Sequence, residues 1–150
     1  MADDVWTQVQ AFNLLDLGDL ILLQRSGLFD SAWFVARNPD VPAAGLDPLT
    51  HFHRYGWRED RWPNPYFDPA WYRAEYPDVR KADVDPLLHY VKNGEAEGRK
   101  PLAHFEPSWY RDRFGVPPEQ LALAHFLQHR HGGQVSPVPE FDAAYYLGCS

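Results

Sequence analysis

The stretch "FDPAWYRAEYPDV", residues 67–79, decides the fold of this chain because it nearly repeats "FDSAWFVARNPDV", residues 29–41. A third version, "FEPSWYRDRFGV", begins at Phe105, as far from Phe67 as Phe67 is from Phe29, and the start of a fourth, "FDAAYYL", begins at Phe141. The first two copies align without a gap, 29–66 against 67–104, and of the aligned pairs 17 are identical. Repetition at such a period is typical of arrays of stacked structural units.

Each copy opens with the signals of a helix start. Asp30 and Asp68 stand at the N-cap, where a carboxylate accepts hydrogen bonds from the free N–H groups of the first turn. Aromatic residues stand at N′ and N4, the two positions of a hydrophobic staple. The staple pairs are Phe29–Phe34, Phe67–Tyr72, Phe105–Tyr110 and Phe141–Tyr146. The tryptophans expected in the core, one position before N4, are Trp33, Trp71 and Trp109.

A second helix follows in each copy. The first helix ends at "NPDV" or "YPDV", because a residue before proline is disfavoured in the helical region. Asp47 and Asp85 then stand at the next N-cap, each followed by proline at N1. Gly56 and Gly94 are expected to close this helix in the left-handed conformation. The third copy lacks the Asp-Pro pair, and its second helix is expected to start near residues 117–119.

The predicted architecture is all-α, a short solenoid-like array of helical hairpins of about 38 residues. An N-terminal helical cap covers residues 1–28, with helices over about Val5–Leu15 and Asp19–Arg25 and Gly27 as the stop. A partial fourth repeat at 141–150 indicates either a C-terminal cap or a fragment of a longer chain, and the fragment is favoured. The three full copies, named first, second and third below, are residues 29–66, 67–104 and the divergent 105–140.

Composition limits the classes of partner. The formal net charge of −7 disfavours nucleic acid, whose phosphates require a basic surface. The apolar run "LLDLGDLILL" is interrupted by Asp16, Gly18 and Asp19, so no membrane span is expected. The one cysteine, Cys149, excludes an internal disulfide and has no basic neighbour that would activate it. A cytoplasmic location is expected.

Histidines recur at one place in the copies, namely His51, His89 and His125. We expect each to pack beside Leu46, Val84 or its equivalent, with its polar edge bonded to a neighbouring turn. In "HFLQHRH", His125 and His129 share one helix face, as zinc ligands do. No carboxylate or cysteine completes the set, so a solvated helix end is favoured over a metal site. No cofactor is expected.

Arginines also recur, in the turns that close the copies. Arg61 and Arg99 each follow a glutamate by two positions, Glu59 or Glu97. Such an arginine can bind a carboxylate or phosphate of a ligand bidentately. Alternatively, it connects the turn between copies to backbone carbonyls or to an aspartate of the next copy. The second interpretation is favoured. The chain contains no glycine-rich phosphate loop, nucleophile elbow or paired-carboxylate motif. No catalytic residue is therefore predicted.

The full motif string resembles a known family. "FDxxW…NPDV…DPLxHF…GWREDRWP" and "FDPAWY…YPDV…DPLLHY…GEAEGRKP" are similar to the FDxxWY…NPDV…DPLxHY…GxxEGRxP repeats of bacterial glycosyltransferases and related polysaccharide-synthesis proteins. The resemblance covers about residues 22–101 well and 105–147 more loosely. In that family the repeats usually sit beside a separate catalytic domain, which this chain does not contain.

The resemblance implies a non-catalytic recognition or scaffolding module, accessory to glycosyltransferase, surface-polysaccharide or protein-glycosylation machinery. Its partner would be a protein or a glycan, including an attached or associated glycosyltransferase domain. The alternative is a part of a glycosyltransferase that contributes directly to sugar-nucleotide or acceptor binding. Turn aromatics are expected to be exposed and to stack on sugars or on a partner. The candidate binding residues are Trp57, Arg58, Arg61, Trp62 and Arg99.

Overall fold

Every regular element that the structure describes is a helix. The computed structural model describes residues 14–132 and 135–138, which contain α-helices, short 3-10 and π turns, and no strand. The all-α prediction is therefore confirmed for this part of the chain. The α-helices are α1 Leu14–Ser26, α2 Ser31–Arg37, α3 Asp40–Ala43, α4 Pro48–Arg54, α5 Pro69–Glu75, α6 Pro77–Ala82, α7 Pro86–His89, α8 Pro107–Phe114 and α9 Ala122–His129. The 3-10 turns are Gly56–Glu59 and Arg130–Gly132, and a π turn over Tyr90–Gly94 continues α7.

The predicted N-caps are confirmed. Each of four aspartate carboxylates accepts a hydrogen bond from a backbone N–H two or three residues further on, at 2.8–3.0 Å. These contacts satisfy N–H groups that have no partner within the helix. The four aspartates are Asp30, Asp47, Asp68 and Asp85.

The predicted staples are present in three copies, with ring centroids 5.2–5.4 Å apart. The N4 ring of each pair is fully buried in the core. The tryptophan one position earlier is only partly buried, so it lies at the edge of the core and not within it. One residue turns the side chain by about 100° around a helix, and N4 is the position that faces the staple. The fourth pair, Phe141–Tyr146, lies outside the described residues.

The turn predicted between the two helices of a copy contains a further short helix. Asn38 and Tyr76 leave the helical region, with φ of −131° and −119°, as expected before proline. The following proline then starts a new turn, because its fixed φ suits the first positions of a helix. The first two copies therefore have three α-helices each, the added ones being α3 and α6.

The role predicted for Gly56 and Gly94 is wrong, because neither has a positive φ. Gly94 is required for close approach instead: a Cβ there would overlap the Tyr72 hydroxyl and lie 3.3 Å from the Tyr90 ring. The left-handed positions lie elsewhere, at equivalent places in the first two copies, with glycine and aspartate exchanged. They are Gly45 with Asp83 and Asp60 with Gly98.

The N-terminal segment also differs from its prediction. The break expected between Leu15 and Asp19 is absent, because α1 runs unbroken from Leu14 to Ser26. An isolated glycine such as Gly18 costs a helix only about 1 kcal/mol, which packing offsets. Helix α1 contacts α4 and α7, and its Asp19 carboxylate lies 3.2 Å from Lys92 Nζ. Most of the other predicted helix lies outside the described residues.

The second helix of the third copy begins later than predicted. Residues 117–120 form a turn closed by a hydrogen bond from Gln120 N to Pro117 O at 3.0 Å, and α9 begins at Ala122. Two consecutive prolines disfavour a helical residue before each of them, which delays the start. No helix in the described part of the chain is long and apolar enough to cross a membrane.

Candidate functional site

The arginine of the first copy's closing turn makes a tie within its own copy. The Arg61 guanidinium donates to both Asp40 carboxylate oxygens at 2.9 and 3.0 Å and lies 2.9 Å from Glu59. The hydrogen bond from Arg61 holds the pKa of the Asp40 carboxyl below its ordinary value. The prediction of a tie to the next copy is therefore wrong, since the "PDV" segment of the same copy supplies the partner. The equivalent tie in the second copy joins Arg99 to Asp78 and Glu97.

Trp57 is not the exposed aromatic that the sequence indicated. Only 2% of it is accessible, and its indole Nε1 donates to the His53 carbonyl at 2.8 Å. The guanidinium groups of Arg58 and Arg73 lie over its ring, 4.3 and 5.0 Å from the ring centroid. Arg58 also pairs with Asp83 at 2.8 Å on the surface. Trp57 is therefore part of the core and has no face for a ligand.

Trp62 does line an open groove, of about 550 Å³, at the closing turn of the first copy. Helix α2 supplies Trp33 and Arg37 to the lining, and the Arg37 guanidinium lies 4.9 Å from the Trp33 ring centroid. Asn38 is fixed at the base, because its amide donates to the Phe34 carbonyl at 2.8 Å. We call this the Trp33–Trp62 groove; its lining is Trp33, Arg37, Asn38, Asp60, Arg61, Trp62 and Pro65.

Two charged side chains of opposite sign, Arg37 and Asp60, line the groove. Arg37 is exposed and has no carboxylate partner among the described residues. Asp60 holds a left-handed backbone, with φ of 60°, where the second copy has Gly98 at φ 79°. An aspartate at such a position costs free energy that glycine avoids. The lining of the groove therefore combines two indoles with an exposed arginine, Arg37, and a carboxylate, Asp60.

The recurring histidines have a different partner from the one predicted. His89 and His125 each form a hydrogen bond through Nδ1 with the staple tyrosine of their own copy, Tyr72 or Tyr110, at 2.8 and 2.7 Å. The predicted neighbours Leu46 and Val84 are about 40% exposed. Burial is the largest cause that lowers the pKa of all three imidazoles, His51 included, below the ordinary value, so they are neutral at pH 7.

His51 lacks this partner because Phe34 stands where the other copies have tyrosine. Its Nδ1 is buried and has no hydrogen-bond partner among the described residues.

We expect Phe34→Tyr to raise the free energy of unfolding by about 1 kcal/mol, because the new hydroxyl can form a hydrogen bond with His51 as Tyr72 does with His89. Urea denaturation measures the change. Tyr72→Phe is the matched reverse substitution and should destabilise; destabilisation by both would contradict the pairing.

Two junctions between copies were not predicted. Between the first and second, His53 Nδ1 lies 2.7 Å from a buried Asp85 oxygen. Between the second and third, the buried Glu95 carboxylate accepts from the backbone N–H groups of Ala122 and Leu123 at 2.5 and 3.3 Å. Glu95 thereby caps α9, where Leu121 at the N-cap position has no side-chain acceptor. The one sequence signal was this leucine in place of aspartate.

Comparisons with known proteins gave no match. No family model, curated protein or solved structure matches the chain. The resemblance to glycosyltransferase-associated repeats stays a prediction that depends on its motif string.

The described residues contain no cluster of metal-binding side chains of the usual size. No group of three or more histidine, cysteine, aspartate or glutamate side chains could hold a metal ion there. The predicted residues Arg61 and Trp62 meet in the groove, Arg58 and Trp57 lie together elsewhere, and Arg99 belongs to the second copy. The groove is thus the place where an aromatic surface and accessible polar groups coincide, which is the composition of a small-ligand site.

Proposed function

We propose that this chain is a non-catalytic recognition module of tandem helical repeats, each of about 38 residues, and that it binds a glycan in the Trp33–Trp62 groove. Such a module is accessory to bacterial glycosyltransferase, surface-polysaccharide or protein-glycosylation machinery in the cytoplasm. Its protein partner is an attached or associated glycosyltransferase domain.

Recurring backbone contacts support the repeat interpretation. The N–H of each copy's first N-cap residue donates to the carbonyl of a proline in the copy's closing turn, at 3.0–3.1 Å. The same backbone hydrogen bond thus joins the beginning of each copy to its closing turn. The bonds are Asp30 N to Pro63 O, Asp68 N to Pro101 O and Glu106 N to Pro137 O.

The two indoles with mixed charge are the observation that carries the glycan proposal. A sugar ring has apolar C–H faces and a rim of hydroxyls, which suits flat aromatic walls combined with a few polar groups. Each hydroxyl both donates and accepts hydrogen bonds, so Arg37 as donor and Asp60 as acceptor match it together. A polyanion fits less well, because the Asp60 carboxylate would repel it.

The second copy offers an internal comparison. It keeps Trp71 and Arg99 but has Lys100 at the place of Trp62 and Gly98 at the place of Asp60. The paired indoles therefore belong to the first copy alone, and we expect a single glycan site.

The test is a glycan-array screen followed by calorimetric titration of the best glycan. We expect Trp62→Lys, which introduces the second copy's residue, to weaken binding by roughly tenfold or more, as truncation of a hot-spot aromatic does. Asp60→Gly should also weaken binding and leave stability unchanged or slightly higher, because glycine takes the left-handed backbone freely. Lys100→Ala is the control and should bind like the parent.

Equal glycan affinity in Trp62→Lys and the parent would refute the groove as the glycan site. Failure of the parent to bind any glycan would refute glycan recognition.

The alternative function, direct participation in sugar-nucleotide binding, draws support from the accessible Arg37 guanidinium, which suits a diphosphate. Competition by the free nucleoside diphosphate, or turnover of a sugar nucleotide by the chain, would favour that alternative.

A further inference from the structure

Two histidines stack on the last turn of α9. The ring centroids of His125 and His129 are 4.1 Å apart, with an angle of 35° between the ring planes. Residues four apart lie on the same face of a helix. The equivalent histidines of the other copies are followed by Tyr55 and Asn93 at this spacing, so the pair is a feature of the third copy alone.

Hydrogen bonds hold both rings by the same nitrogen. His129 Nδ1 lies 3.2 Å from the His125 carbonyl, which can only accept, so Nδ1 is the donor and Nε2 is the nitrogen left to face a ligand. His125 Nδ1 lies 2.7 Å from the Tyr110 hydroxyl. No described residue forms a hydrogen bond with Nε2 of either ring. Metal-binding histidines are oriented in this way, with the second nitrogen held by a carbonyl or another polar group.

We propose that His125 and His129 bind one divalent transition-metal ion through their Nε2 atoms. Imidazole suits Cu²⁺, Ni²⁺ and Zn²⁺, and Cu²⁺ should bind most tightly of these. With two protein ligands, the other coordination positions are open to water or to a donor from a bound partner. This site departs from the solvated helix end that the sequence favoured, because the sequence did not show how Nδ1 of each ring is engaged.

Tyr110 sits behind His125 as the orienting group. Its substitution by phenylalanine should weaken binding by about 10- to 100-fold, the usual effect of losing such a partner.

The experiment is titration of the full chain with Cu²⁺ and Zn²⁺ by calorimetry, with electron paramagnetic resonance of the Cu²⁺ form. We expect one site with two imidazole nitrogens on copper. His129→Asn should abolish it; this exposed position tolerates asparagine, which the second copy has at the equivalent place. His104→Asn, which removes an exposed histidine elsewhere, should change nothing.

Equal copper affinity in His129→Asn and the parent, or equal weakening in His129→Asn and His104→Asn, would overturn the proposal. A copper spectrum with a single imidazole nitrogen would overturn it as well. The glycan groove is a separate surface, so its variant Trp62→Lys should keep the parent's metal affinity, and the two proposals fail independently.

Discussion

Replacing Glu95 by alanine should lower the free energy of unfolding by about 3 kcal/mol, the largest loss we expect from a single polar substitution in the chain. The side chain of Glu95 is 4% exposed, and its carboxylate accepts hydrogen bonds from the Tyr90 hydroxyl at 2.6 Å and from Arg111 Nη2 at 2.8 Å. It also caps α9. The substitution therefore removes the acceptor of several groups at once.

The size of this loss of stability depends on Arg111, the partner that is left without its carboxylate. Removing one partner of a buried ion pair costs about 3–5 kcal/mol, and the lower end applies because Arg111 is 32% exposed and regains water. Urea denaturation followed by circular dichroism measures it. Glu97→Ala is the matched control: this glutamate is 51% exposed and pairs with Arg99, so its loss should cost less than about 1 kcal/mol. Equal effects of the two substitutions would show that Glu95 is not the junction.

Gly94→Ala should be the second strongly destabilising change. The added methyl group would occupy the place of the Tyr72 hydroxyl. Overpacking of this kind costs about 1–3 kcal/mol. Displacing the hydroxyl also breaks its bond to His89, and an unpaired buried group adds about 1–3 kcal/mol. Thermal and urea unfolding give the sum.

Gly56→Ala is the control at the same place in the first copy. There the nearest atoms to a Cβ are Phe52 Cδ1 at 3.3 Å and His51 Nδ1 at 3.5 Å, because Phe34 has no hydroxyl. We expect Gly56→Ala to destabilise the parent only slightly and to destabilise the Phe34→Tyr variant strongly, because that variant has a hydroxyl at this place. Additive effects of Gly56→Ala and Phe34→Tyr in a double-mutant cycle would contradict this explanation.

Local chemistry was predictable from the sequence. The caps at Asp30 and Asp68 and the staple of Phe67 with Tyr72 each depend on residues within six positions of one another, so spacing alone identifies them. The placement of Trp71 was less accurate, because the repeated motif does not say which of two adjacent aromatics faces inward. The role of Gly94 was missed, because it depends on Tyr72, which belongs to an earlier helix.

The candidate site was predictable only in part. Arg61 and Trp62 were named from the sequence, but Trp33, Arg37 and Asp60 were not assigned to a groove. The groove forms because the closing turn of the copy returns to the end of α2, a contact between distant parts of the chain. The exposure of Trp57 was predicted wrongly for the same reason. The sequence does not show that the side chains of Arg58 and Arg73 cover its ring.

The two junctions differ in chemistry, so the order of the three sequence copies matters. A chain spliced from the first copy directly to the third would bring Trp57 to the place of Glu95 and leave α9 without its acceptor. His53 would likewise meet Leu121 where it now meets Asp85. The three copies are thus not interchangeable, because the contacts at each end fit one neighbour. A recombinant chain in which a copy is moved, deleted or duplicated would lose these contacts at the new junction and be less stable.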